Sequence, residues 1–152
     1  MFSVLALVGF AQTDAFRSQQ FNLSEGLAIK GYDPVSYFAQ ARAEKGKKEF
    51  LATDRGVTYY FSSAQNKALF QSDPAKYEPQ YGGWCAYAMG HDGSKVDVDP
   101  GTFKIVNGKL FLFYNQFFNN TLKTWNQDEP RLQTQADANW QKIIQSNQKT
   151  TI

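Results

Sequence analysis

The segment FKIVNGKLFLFY, residues 103–114, narrows the folds open to this chain more than any other. Asn107-Gly108 is the preferred pair for a two-residue turn in which both residues take positive φ, and both flanks are β-branched or aromatic. The pattern predicts a hairpin with strands near 102–106 and 109–114. KKEFLATDRGVTYYF, residues 47–61, predicts a second one. There Phe50 and Ala52 alternate on one arm, Val57, Tyr59 and Phe61 on the other, and Asp54-Arg55-Gly56 makes the turn.

Between and after the hairpins the period changes. Ser62 and Gln65 have the spacing of a capping box, opening a helix that runs through Leu69-Phe70 and stops at Asp73-Pro74, where the proline lacks an amide. WCAYAM, residues 84–89, suits either a short helix or a buried strand, because six residues do not fix a period. Phe118, Leu122 and Trp125 fall at i, i+4, i+7, and Ala136, Trp140, Ile143 and Ile144 at i, i+4, i+7, i+8. These stripes predict two amphipathic helices, broken at Asp128-Glu129-Pro130. Asp33-Pro34 reads as a turn. The fold class expected is α+β, a small antiparallel sheet of hairpins covered by helices in a single domain.

The 152 residues are enough for one domain to bury a core without staples. Thirteen Phe, eight Tyr and three Trp make 16% of the chain, so the core is built from rings. A single cysteine rules out an internal disulfide, and the fold stands on packing alone. Net charge is +2, and the cluster Lys45-Gly46-Lys47-Lys48 is flanked by Glu44 and Glu49. That is too mild for a nucleic-acid partner, which needs Lys and Arg massed on one face.

Phe2 to Ala11 is apolar except for Ser3, too short to span a bilayer but matching the apolar part of a signal peptide. Gly9 and Ala11 supply the small residues of a cleavage site. The reading is of an exported, periplasmic protein with no stable membrane insertion after processing. Residues 1–11 are the leader, 12–26 a polar approach, 27–145 the domain, and 146–152 a frayed tail.

YGGWCAYAMGH, residues 81–91, holds the only cysteine and the only histidine. If it is helical, Cys85 and Met89 share a face and His91 folds back from the following loop. Thiolate, thioether and imidazole suit a soft ion such as Cu(I). The plainer reading makes Cys85 a small buried hydrophobe among core neighbours. Asp92, Asp97 and Asp99 lie close by, but the spacing of a calcium loop is missing and Asp99-Pro100-Gly101 reads as a turn. No glycine-elbow serine, phosphate loop or dinucleotide fingerprint is present, and a Cys85/His91 thiol pair is the one nucleophilic combination. The chain therefore reads as non-catalytic. Tyr59, Tyr60, Phe61, Phe111, Phe113 and Tyr114 are candidates to line a pocket for a small apolar ligand.

GVTYYFSSAQNKALFQSDPAKYEPQYGGWCAYA, together with GYDPVSYF upstream and VDVDPGTFKIVNGKLFLFYN and ADANWQKII downstream, resembles the YHS-domain family and its small exported bacterial members. The resemblance spans about residues 27–145. It implies a compact α+β domain of candidate metal-binding type, with no established reaction for the exported branch. Metal-associated members tend to carry two cysteines four apart. The matching positions here are Ser62 and Asn66, whose hydroxyl and amide have little affinity for soft ions. The function expected is binding, with a copper-like ion at Cys85, Met89 and His91. The alternatives are a structural or protein-interaction domain with an unliganded cysteine, or a small apolar ligand binder.

Overall fold

The computed structural model describes residues 13–146. The leader expected at residues 1–11 and the tail from 147 onward lie outside the described residues. The fold is α+β, as the hairpin and helix patterns imply. The two hairpins close as their turn residues require. β3 (Lys47–Asp54) and β4 (Val57–Phe61) pair antiparallel around Arg55-Gly56, and β5 (Asp99–Val106) and β6 (Lys109–Phe113) around Asn107-Gly108. All four turn residues have positive φ, between 44° and 84°.

β3 and β4 belong to a larger sheet. The short strands β1 (Leu23–Ser24) and β2 (Leu27–Ala28) extend it in the order β1-β2-β4-β3, with β2 lying parallel to β4. The sheet is thus mixed rather than purely antiparallel. The segment before residue 27 is more than an approach. Residues Asp14–Gln20 form helix α1, capped by the Thr13 hydroxyl, which accepts from the Phe16 N–H. Its Arg17 is buried and donates to both oxygens of Glu78 at 2.9 and 3.2 Å. Arg55 and the Tyr59 hydroxyl donate to the same carboxylate. Paired on both sides, the charges tolerate burial.

After a short helix α2 (Ser36–Ala39), the cap of α3 (Ala64–Ser72) lies one residue later than expected. The Ser63 hydroxyl accepts from the Asn66 N–H, because Ser62 is drawn away to another partner. Pro74 opens α4 (Pro74–Tyr77) at its first turn. WCAYAM resolves as helix: α5 spans Ala86–His91. The last two helices are α6 (Thr121–Gln127) and α7 (Glu129–Ser146).

β6 separates two cores. Leu110 and Leu112 enter one with Val57, Tyr59, Phe61 and Phe70, while Phe111 and Phe113 enter the other with Met89, Trp125, Leu132 and Ala136. Side chains alternate across a strand, so one run of four apolar residues fills both. Each fully buried ring or leucine contributes about 1.5–3 kcal/mol.

α5 and α7 approach closely at Gly90. A β-carbon there would sit 2.5 Å from the Leu132 carbonyl oxygen, a main-chain atom that cannot swing aside. Gly90→Ala should therefore lower stability by about 1–3 kcal/mol in urea unfolding, although alanine is ordinarily the better helix former by about 1 kcal/mol.

One stretch departs from its predicted period. Phe118 does not begin the helical stripe with Leu122 and Trp125. β7 (Asn115–Gln116) and β8 (Asn119–Asn120) form a minimal hairpin whose turn is Phe117-Phe118. Their φ angles are 52° and 61°, a region that costs an L-residue about 1–2 kcal/mol each. The helix starts only at Thr121, where the Asn120 side chain accepts from the Leu122 N–H.

Candidate functional site

Cys85 stands at the N-cap of α5, where the two cores meet. Its N–H donates to the Val96 carbonyl at 2.9 Å and its carbonyl accepts from Met89. The helix ends at His91, and Gly93 (φ 78°) closes it with bonds to the Ala88 and Met89 carbonyls. Gly90 thus sits inside the helix, and His91 is its last residue rather than part of a following loop.

The thiol is 0% exposed and sits in a closed ring of hydrogen bonds. The Tyr114 N–H donates to Sγ at 3.3 Å. Sγ lies 3.5 Å from Thr121 Oγ1, which is 2.7 Å from the Tyr114 carbonyl. A carbonyl only accepts, so the threonine proton is committed to it and the cysteine S–H is the donor toward Thr121. The ring stitches α5 to the end of β6 and the start of α6. Every partner of the sulfur is neutral, whereas reactive thiolates occupy electropositive, partly open surroundings.

A hollow of about 320 Å³ lies beside it. Cys85, Tyr87, His91, Tyr114, Asn119 and Thr121 are among its lining residues. His91 is exposed and stacks on Tyr87, one helical turn earlier, with centroids 5.5 Å apart and planes 16° from parallel. Hydrogen bonds from Ser94 hold the adjoining Asp92 below the ordinary carboxylate range. Cys85 and His91 are thus brought to one hollow. Met89 is not: it is 0% exposed and belongs to the core of Phe111, Phe113 and Trp125. Cys85, Met89 and His91 do not meet as a three-ligand centre. Among the described residues, no group of three or more His, Cys, Asp or Glu is placed to hold a metal ion.

The neighbouring acids are engaged separately. Asp97 pairs with Lys30 at 2.9 Å and accepts from Asn22, whereas Asp99 accepts from the Gly101 N–H and the Thr102 hydroxyl. Of the rings considered for an apolar pocket, Tyr59, Phe61, Phe111 and Phe113 are closed inside the cores at 1% exposure or less, and Tyr114 lines the hollow.

Two features escaped the sequence reading. Ser62 and Asn66 converge on Asp33, a carboxylate with 0% exposure. Its Oδ2 accepts from the Ser62 N–H (2.8 Å), the Ser62 hydroxyl (2.7 Å) and the Asn66 amide (2.7 Å), and its Oδ1 from the Val35 and Ser36 N–H groups. The only local signal for it was the pair Asp33-Pro34, which says turn. The second is the tip of the β7–β8 hairpin, where Phe117 and Phe118 are 86% and 111% exposed. A two-residue hairpin is invisible to periodicity.

Among known proteins, no family model, no curated protein and no solved structure matches this chain. No helix among the described residues is long and apolar enough to cross a membrane.

Proposed function

We propose that this chain is an exported, non-catalytic binding domain of the YHS kind that works through protein contact, with Cys85 as a structural thiol. The observation carrying the reading is the hydrogen-bonded ring around the sulfur, in which donor and acceptor are both used inside the core. The bare phenylalanine pair supports contact as the mode of action. The YHS assignment rests on the motif order between residues 27 and 145, and export to the periplasm on the apolar run Phe2–Ala11.

A second reading is favoured by one observation: Cys85 and His91 line the same hollow. A soft, copper-like ion could be held by those two residues, with Met89 outside the set. Alkylation and metal titration separate the readings. For a structural thiol, native alkylation runs at least about a thousandfold slower than in denaturant, because access requires unfolding. Cu(I) titration of the wild type and of Cys85→Ser then gives the same curve. Stoichiometric Cu(I) uptake that Cys85→Ser and His91→Ala each abolish would replace the structural reading with the metal one.

A further inference from the structure

We propose that the Phe117-Phe118 tip is a docking knob and that its receptor is the hollow beside Cys85 on a second copy of this chain, in a two-fold reciprocal dimer. The inference deepens the protein-contact reading and rests on it.

The tip is built against local preference. A turn with two positive-φ residues favours Asn and Gly, as at Asn107-Gly108, yet here both positions carry phenylalanine at φ 52° and 61°. The two rings are almost wholly in water. Large side chains held in a strained backbone without a packing partner among the described residues point to a contact outside the molecule. Around them stand Asn115, Gln116, Asn119 and Asn120, an uncharged amide collar. An apolar aromatic centre flanked by amides is the anatomy of a protein-protein contact.

The choice of a second copy follows from where the hollow lies. Asn119, the residue after Phe118, is itself part of its wall. Knob and hole are therefore neighbours on one face. A two-fold axis between two such faces sets each knob over the other copy's hole, the self-complementarity an isologous interface demands. The walls supplied by Tyr87, Ala88, Val96 and Tyr114 are apolar and aromatic, and about 320 Å³ lies at the lower end of the range of ligand pockets. Four rings bury about 150–250 Å² each. With the surface they cover counted as well, the total reaches about 1,200–2,000 Å², the size of an ordinary specific interface.

Sedimentation of the full chain from micromolar to millimolar concentration tests this. The wild type shows a monomer–dimer equilibrium. The variant Phe117→Asn/Phe118→Gly gives the turn its preferred residues, so it stays folded with a higher unfolding midpoint while its dimerisation weakens at least about 30-fold. Ser94→Trp, an exposed position at the hollow, blocks the hole and weakens dimerisation similarly. Mixing the two variants restores part of the association, since one knob then meets one open hole. A wild type monomeric throughout, or a dimer indifferent to the turn variant, overturns the proposal. So does binding of the wild type, but not the turn variant, to phosphatidylcholine vesicles without self-association, which makes the tip a lipid anchor. The alkylation result stands or falls separately, so failure of the dimer and of the structural-thiol reading remain distinguishable.

Discussion

Replacing Asp33 by alanine will remove about 3–5 kcal/mol of stability, a large share of the roughly 5–15 kcal/mol typical of a domain. The carboxylate is fully buried and is the common acceptor for the Val35 and Ser62 N–H groups, the Ser62 hydroxyl and the Asn66 amide, all within 2.8 Å. Alanine offers none of them an acceptor, and each stranded buried donor costs about 1–3 kcal/mol before the site relaxes. Asp33→Asn should fall between, since the amide keeps one oxygen but turns its NH₂ toward other donors. Urea unfolding monitored by circular dichroism reads the effect as a shift in midpoint at unchanged slope. A loss below about 1 kcal/mol would mean that water satisfies these groups and that the cluster does not hold α2 and α3 together.

Alkaline titration will show stability falling above about pH 10 by as much as about 4 kcal/mol per pH unit. Tyr37, Tyr59 and Tyr81 are buried, and each phenol donates its proton to a group that only accepts: the Pro100 carbonyl, Glu78 and Asp137 respectively. Burial, reinforced by nearby negative charge, pushes all three phenols well above their ordinary range. The folded state then keeps protons that the unfolded chain releases above about pH 10. With more protons bound to the native form, stability is complete below that value and declines as pH rises. Each site contributes about 1.4 kcal/mol per unit. Tyr37→Phe and Tyr81→Phe should each make the decline shallower by about a third, while leaving the carbonyl or Asp137 one donor short at neutral pH. Urea midpoints between pH 8 and 12 measure both effects.

The hairpins and long helices were legible because turn chemistry and period agree there. Asn107-Gly108 and the Ala136, Trp140, Ile143 stripe stand where their patterns put them. What sequence could not supply is pairing at a distance. Ser62 has the form of a helix cap, but Asp33, 29 positions earlier, takes its hydroxyl, and Ser63 caps instead. Phe118, Leu122 and Trp125 match a helical face by spacing, yet the Asn-rich collar diverts the chain into a hairpin first. The cysteine, methionine and histidine sit within seven residues, where spacing leaves helix and strand open and puts His91 in a following loop; the chain is helical through His91, with Cys85 at the N-cap. Their division between a hollow and a core depends on how α5 packs on β6 and α7, which no local pattern encodes.

That β6 faces two cores has a chemical corollary for the lone sulfur. Leu110 and Leu112 press one way, Phe111 and Phe113 the other, so the strand is a spine common to both halves of the molecule. Local breathing of one half alone would have to pull that spine from its opposite bed as well. On the structural-thiol reading, the lifetime of the thiol against oxidants follows how rarely this shared spine gives way.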